Sequence, residues 1–303
     1  MWKYFDHRED WTDPRSYVLE RAGAVVAHVG LWPVVLTRSA RGCLKGVQMI
    51  DWVAARNAAG AGLTLVRHLS AMFDFIYSIG GSEETQRLLP AFGFREETKT
   101  WIGARPLRAL SPIRSRHPRN WKLVPRLVRN CAWALYPPVR IHGWSVTAVT
   151  PQQIPPDLVA ALARETHSLP RPPEFFDYLL RCPEAAFDLY LVCDPIAPRA
   201  LLLISEVRLQ SRVAGLWLRD PDRAAWSEVY ALAQRAAAEK GRTCEIVAKG
   251  TRGRSGDAAV SSGLRLFAEQ TVYALSETQE PLAGLEFQWC DDDWVFRWLG
   301  YCT

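Results

Sequence analysis

The chain has 303 residues, of which 49% are hydrophobic and 13 are tryptophan, which favours two domains of ordinary size with sizeable cores. No stretch reaches the ~20 apolar residues of a membrane-spanning helix, and the start, MWKYFDHRED, lacks the apolar core of a signal peptide, so we expect a cytoplasmic protein. The seven cysteines form no Cys-x-x-Cys pair, which predicts reduced thiols and no zinc or other metal site. The net charge of +5 suits an anionic ligand and does not imply a nucleic acid partner.

The first long apolar segment, Ala24 to Leu36, follows a turn at Gly23 and predicts one strand of a hairpin. His28 lies within this strand. A histidine titrates near neutral pH and can move a proton, but a lone histidine on an apolar strand is also commonly a hydrogen-bonded core residue. Both interpretations stay open.

The next stretch, Gly46 to Val66, predicts an apolar strand, a turn containing Gly60 and Gly62, and the start of a helix. The first N–H groups of a helix have no intrahelical partners and the helix dipole adds partial positive charge, so such a start binds anions. Gly62 is not followed by the Lys-Ser/Thr of a Walker loop, and Leu65 replaces the third glycine of a dinucleotide fingerprint. The stretch predicts a nucleotide-type ligand held by its phosphates, or otherwise a turn without a ligand.

The segment from Asn57 to Gly62, NAAGAG, resembles the acetyl-CoA loop of the GNAT acyltransferase superfamily, whose pattern is Gln/Arg-x-x-Gly-x-Gly/Ala. Asn57 stands where the family has Gln or Arg, and Arg56 lies one residue earlier. The resemblance implies that acetyl-CoA or another acyl-CoA binds here as a substrate, with its pyrophosphate on the loop backbone and its pantetheine amides against the preceding strand. The implied binding residues are Val53, Ala54, Ala55, Arg56, Asn57, Ala58, Ala59, Gly60, Ala61, Gly62 and Leu63.

The order of elements after the loop also matches the family. A strand is predicted over Phe73–Ser78 and a helix over Glu83–Ala91 with Ser82 as its N-cap, and the pair Gly93-Phe94 follows. The resemblance covers about residues 1–105. The tyrosine that serves the family as general acid is replaced by Leu89, which cannot donate a proton, and the segment before the hairpin is too short for the family's first strand and two helices.

Two further residues could carry acid–base chemistry. Asp51 interrupts the apolar strand that leads into the loop, where the GNAT resemblance implies an acidic residue, and burial would raise its pKa toward that of a general base. The alternative is an edge-facing Asp51 that hydrogen-bonds a loop. Tyr77, on the strand after the loop helix, could replace the missing tyrosine or could be a core residue.

A basic, proline-rich segment follows. Between Arg105 and Arg129 there are eight basic residues and no acid, and four prolines interrupt the stretch, which predicts an interdomain linker with one helix over Trp121–Leu135. It could be a solvated connector, or a surface that attracts phosphates or anionic lipid headgroups and so makes peripheral membrane contact. Without stacked aromatic residues or a recognition motif, we expect no nucleic acid partner.

The second half of the chain repeats the predicted order of elements, as in a complete GNAT fold. The predicted strands cover Trp144–Val149, Phe187–Cys193, Ala200–Leu209, Cys244–Ala248, Thr271–Ser276 and Leu285–Cys290. The predicted helices cover Pro156–Thr166, Glu174–Cys182, Asp222–Glu239 and Ala258–Glu269.

The second half lacks the phosphate loop. Asp220 and Asp222 stand at the start of the corresponding helix, where they would repel a pyrophosphate and cap the helix. The glycine-rich loop from Lys249 to Gly256 is basic and could bind anions or be a solvated surface loop. The run Asp291 to Asp293 predicts a solvated turn, because consecutive residues point in different directions.

Together these observations predict an α/β protein with a mixed α+β sheet and two acyl-CoA N-acyltransferase-like domains in tandem: a truncated domain over 1–105, a basic linker over 106–143 and a degenerate second domain over 144–303. The resemblance implies an acetyltransferase or other acyltransferase that moves an acyl group to a small-molecule amine or hydroxyl acceptor. A non-catalytic acyl-CoA-binding or scaffolding protein, and an aminoacyl transferase of the same doubled fold, are the alternatives.

Overall fold

The computed structural model describes residues 2–38, 42–108, 123–134, 141–165, 171–219, 222–276 and 286–296. The elements of the first half are α1 (Trp2–Phe5), β1 (Ser16–Arg21), β2 (Ala24–Arg38), β3 (Gly42–Ala54), α2 (Ala61–Ser70), β4 (Phe75–Ile79), α3 (Glu83–Leu88) and β5 (Arg95–Pro106). The turn between β1 and β2 is the expected one: Ala22 and Gly23 both have positive φ, as a two-residue type I′ hairpin requires.

The remaining elements begin with the helix of the basic segment. They are α4 (Leu123–Ala134), β6 (Ser145–Ala148), α5 (Pro156–Glu165), α6 (Pro173–Leu180), β7 (Ala186–Cys193), β8 (Pro198–Val207), β9 (Gln210–Leu218), α7 (Arg223–Lys240), β10 (Glu245–Thr251), α8 (Arg254–Ser261) and β11 (Arg265–Ser276). No helix of the described residues is long and apolar enough to cross a bilayer.

All eleven strands join one mixed sheet in the order β1-β2-β3-β4-β11-β5-β10-β9-β8-β7-β6. Each half contributes a parallel strand–helix–strand unit, β3-α2-β4 and β9-α7-β10. At the centre the halves exchange their last strands: β11 lies between β4 and β5, and β5 lies between β11 and β10. Each half therefore completes the other half's sheet.

The hydrophobic cores follow this exchange. One cluster is built from the first half, with Val47, Leu65 and Phe94 among its buried members. The largest cluster combines Trp32 and Ile50 of the first half with residues of α6, β8, β9 and the C-terminal segment. Because core residues from both halves pack together, burial of apolar surface stabilises them as one unit.

Two sequence predictions near the C-terminus are wrong. The helix predicted over Ala258–Glu269 ends at Ser261, and Gly263, with φ of +95°, turns the chain into strand β11. β11 pairs with two neighbouring strands, and these long-range hydrogen bonds outweigh the local helical pattern. The strand predicted over Leu285–Cys290 is also not found: the described part, from residue 286, leads into a short 3₁₀ turn at Trp289–Asp291.

Candidate functional site

The strands that flank the predicted loop separate where the loop begins. β3 and β4 pair in parallel at only three positions, Gly46 to Gln48 with Phe75 to Tyr77, although β3 runs on to Ala54. A β-bulge lies in the part of β3 that does not pair with β4. On the β2 side of this part, Gly30 pairs with Ile50, but His28 pairs with Val53. A bulge bends a strand and redirects its side chains, so this end of β3 turns away from β4 and leaves an opening.

From the end of β3 beside this opening, the chain continues to the start of α2. Gly60 is the N-cap of α2, with φ of +80° and no side chain capping the helix, and a Cβ at this position would meet nothing within 4 Å. The N–H of Ala61 donates to the backbone oxygen of Ala58 at 3.1 Å, so the next N–H groups of α2, those of Gly62 and Leu63, are the ones that suit an anion. Gly62 has a different role, because its Cβ would lie 2.9 Å from Cζ2 of Trp52, so it allows α2 to pack on β3.

Asp51 lies in the bulge and is held by residues that the sequence did not indicate. Its φ is +47°, and its carboxylate accepts from Nζ of Lys3 at 2.5 Å and from the hydroxyl of Tyr4. The side chain is 36% exposed, so the burial expected from the apolar strand is not found.

His28 is adjacent to Asp51, as its place on the neighbouring strand predicts. Its Nδ1 lies 3.1 Å from the backbone oxygen of Asp51, and its Nε2 lies 3.0 Å from Oγ of Ser16. Since a carbonyl oxygen can only accept, Nδ1 carries the proton in the neutral ring and Nε2 accepts from Ser16. The ring of Tyr4 meets the imidazole edge-on, with 5.9 Å between ring centroids. The structure therefore brings four side chains together: Lys3, Tyr4, His28 and Asp51.

Tyr77 does not join this group. It is fully buried in a separate cluster, and its hydroxyl donates to the backbone oxygen of Asp291 at 2.7 Å. Burial raises the pKa of Tyr77 well above its ordinary value. Leu89, which the sequence resemblance aligns with a general-acid tyrosine, is buried in the core of the first half. The geometry favours the core interpretation of Tyr77.

The run of three aspartates is buried, and the prediction of a solvated turn is wrong. Each carboxylate pairs with a cation from a different part of the chain: Asp291 with Arg171, Asp292 with Lys249 at 2.6 Å, and Asp293 with Lys3 at 2.8 Å. Buried carboxylates need such partners, because an unpaired buried charge is costly. Consecutive side chains point in different directions, as expected, but each direction leads to a cation.

Lys249 also corrects the prediction for the glycine-rich loop. The sequence predicts that Lys249 begins a basic loop that binds anions or is solvated, but β10 extends through Thr251 and the Lys249 side chain is fully buried. At the start of the basic segment, Arg105 of β5 is buried and donates to the backbone oxygen of Ser262, and Arg108 donates to that of Gly241. The rest of the linker up to residue 122 lies outside the described residues.

Sequence reasoning missed Lys3, Tyr4 and the aspartate run as neighbours of Asp51. Lys3 and Asp293 are 290 positions apart, and no local pattern indicates such a contact. The one local signal is Gly30, whose Cβ would lie 2.4 Å from Cε1 of Tyr4, so a glycine in an apolar strand marks the close approach of that ring. Among the residues that the structure describes, no three His, Cys, Asp or Glu side chains are grouped to hold a metal ion.

No protein-family model and no curated protein sequence matches the chain. The structure is similar to that of a GCN5-related N-acetyltransferase from Anabaena variabilis, with a TM-score of 0.56 and 12% sequence identity over 86% of this chain and 62% of that one. It is also similar to a conserved protein from Enterococcus faecalis, with a TM-score of 0.55 and 10% identity over 86% of this chain and 61% of that one. A third similar structure is a GCN5-related N-acetyltransferase from Kribbella flavida, with a TM-score of 0.53 and 12% identity over 86% of this chain and 60% of that one. The chain spans about three fifths of the length of these proteins. It has the GNAT fold, and the predicted α/β class with a mixed sheet is confirmed.

Proposed function

We propose that the first half binds acetyl-CoA or another acyl-CoA and that the acyl group passes to an amine or hydroxyl acceptor. The observation that carries this proposal is the uncapped start of α2 at Gly60, next to the end of β3 that separates from β4. Backbone N–H groups at the start of α2 hold the pyrophosphate, and the edge of β3 that faces away from β2, at Val53 and Ala54, receives the pantetheine amides, while the N–H of Ala55 donates to the backbone oxygen of Val26.

The acceptor reacts beside Asp51. The Asp51 carboxylate takes a proton from the acceptor amine, the nitrogen lone pair attacks the thioester carbonyl, and the carbon–sulfur bond breaks with release of CoA as a thiolate. The thiolate takes up a proton from water, and Asp51 returns its own proton to the solvent. His28 lies against the backbone of Asp51 and is the second group able to exchange a proton at the site. Lys3 and Tyr4 hold the Asp51 side chain in place.

Titration calorimetry with acetyl-CoA tests the binding step. Ala59 is exposed directly before Gly60, so Ala59→Glu adds a negative charge near the proposed pyrophosphate position without entering the core. We expect about tenfold weaker binding, because like charges a few ångströms apart repel even at the surface. Ala59→Gln is the matched neutral variant of the same size and should weaken binding less than Ala59→Glu does.

Turnover separates an enzyme from a binding protein. Release of CoA is followed with acetyl-CoA and pooled amines and sugars. Equal affinity of the two Ala59 variants would argue against the loop as the phosphate site, and tight binding without CoA release from any acceptor pool would favour the non-catalytic alternative.

A further inference from the structure

The second half contains an opening of the same kind as the first. β9 and β10 pair in parallel from Gln210 with Glu245 to Val213 with Ala248, and beyond this β9 continues to Leu218 without β10 as a partner. A bulge lies next to the last pair. The unpaired edge of β9 thus corresponds to the edge of β3 that is proposed to receive a ligand.

A side chain of the protein itself fills this edge. The backbone N–H of Leu216 donates to Oε1 of Gln288, and Nε2 of Gln288 donates to the backbone oxygen of Leu216 at 2.8 Å. One amide therefore satisfies both the donor and the acceptor of the residue, as a neighbouring strand or a ligand amide would. Gln288 is 3% exposed, so no solvent-filled track remains at this position.

The residue after Gln288 closes the space between the two strands. Trp289 is fully buried, with the guanidinium of Arg212 from β9 5.2 Å from its ring and the ammonium of Lys249 from β10 5.0 Å from it. Lys249 is also bound to Asp292 at 2.6 Å. Cation–π contacts from both strands and a buried ion pair from β10 thus hold the C-terminal segment between β9 and β10.

Two further polar positions of the second half, the start of α7 and the end of β10, are also bonded to side chains of the protein. Asp222 caps α7, the counterpart of α2, and its carboxylate accepts from the N–H of Ala225 at 2.6 Å, where the first half leaves its helix uncapped. Glu286 accepts from the N–H of Thr251 at 3.0 Å and from the hydroxyl of Ser255. A Cβ at Gly250 would lie 2.7 Å from the Glu286 carboxylate, so this glycine permits the approach.

We propose that the segment Glu286–Asp293 is a permanent internal ligand of the second half, so that each chain has one acyl-CoA groove and the second half serves as a support. What the first groove binds rests on the proposed function. The same segment also contacts the first half, where Asp292 accepts from Nε2 of Gln48 at 3.1 Å and Asp293 binds Lys3. The segment that fills the second groove therefore also reaches Lys3, whose ammonium binds both Asp293 and Asp51.

Hydrogen exchange resolved to single amides tests this proposal on the full chain. Without any ligand, the wild-type Leu216 amide should exchange as slowly as the paired amides of β8, although none of the described strands bonds to it on the β10 side. Gln288→Met keeps the side-chain volume and removes both hydrogen bonds, and should speed exchange at Leu216 about tenfold. Gln152→Met, at an exposed glutamine, is the control and should leave Leu216 unchanged.

Adding acetyl-CoA completes the test. We expect acetyl-CoA to slow exchange at residues 53–63 and to leave exchange at residues 214–218 unchanged. One molecule of acetyl-CoA should bind per chain. Fast exchange at Leu216 in the wild type, slower exchange at 214–218 with acetyl-CoA, or two molecules per chain would overturn the internal ligand. If acetyl-CoA changes exchange in neither region, the proposed function fails, while the ligand-free Leu216 measurement still decides on the segment.

Discussion

Asp51 illustrates how a single residue combines a backbone and a side-chain role. Its left-handed φ of +47° belongs to the bulge, and this conformation is uncommon for a non-glycine residue. The bulge directs the carboxylate toward Lys3 and Tyr4, and the backbone oxygen toward His28. Strained backbone of this kind is often found where a side chain must be aimed at a functional site.

Asp51→Asn should therefore lower turnover while acetyl-CoA affinity barely changes. General base catalysis by a side chain is worth about 10²–10⁴-fold, so a loss of this size in kcat is expected. The variant should also lose the acidic limb of the pH–rate profile, which a merely structural role would leave in place. Asp257→Asn, at an exposed position on α8, is the control, and wild-type rates for Asp51→Asn at every pH would make Asp51 structural.

Glu286 links stability to pH. Burial raises the pKa of its carboxyl from 4.5 to about 7, against the opposing hydrogen bonds from Ser255 and Thr251. A carboxyl with a raised folded pKa binds more protons in the native state, so its contribution to stability is present below pH 4.5 and is lost as pH rises through 7.

Glu286→Gln should remove this pH dependence. The glutamine keeps an acceptor for Thr251 and Ser255 and does not ionise. Relative to the variant, the wild type should lose up to about 3 kcal/mol of unfolding free energy between pH 4.5 and 7. Urea unfolding of both proteins at several pH values measures the difference, and parallel stability curves would refute the raised pKa.

At the scale of elements, most of the regular structure was predictable because it is encoded locally. Ser82 and Asp222 cap their helices as predicted, each accepting from the backbone N–H three residues later. The helix predicted over Ala258–Glu269 was wrong because pairing with β4 and β5, distant in sequence, determines the structure of its second part. Asp51 and His28 were predictable neighbours since they lie across one hairpin, whereas the contacts of Asp291–Asp293 depend on the whole fold.

The cap of α7 gives a test of this local encoding. Asp222→Ala removes the acceptor for the N–H of Ala225 and should lower the unfolding free energy by about 1 kcal/mol. Asp222→Asn keeps an acceptor oxygen and should stay close to the wild type. Thermal and urea unfolding measure both variants, and an alanine variant as stable as the asparagine variant would show that the cap contributes nothing.

The architecture of the whole molecule rests on the exchange of β5 and β11. The predicted boundaries at 105 and 144 divide the chain by sequence pattern, and they stay a prediction. The sheet does not divide there: β10 has β5 as its antiparallel neighbour, and β11 lies between two strands of the first half. The sequence pattern indicates two similar sets of elements, but it cannot reveal the exchange. The hydrophobic pattern of β5 or β11 would be the same whether the strand paired within its own half or with the other half.

The exchange predicts that neither half is stable alone. Residues 1–140 would leave β4 and β5 with open edges, and residues 141–303 would leave β10 and β11 without their first-half neighbours and Asp293 without Lys3. Exposed edges and unpaired buried charges favour association, so each half expressed alone should be insoluble or self-associated. Coexpressed halves should instead form a complex of one copy of each half, which does not associate further and binds acetyl-CoA. Analytical ultracentrifugation and urea unfolding decide this, and a monomeric, cooperatively unfolding half would show that the exchanged strands are not required for folding.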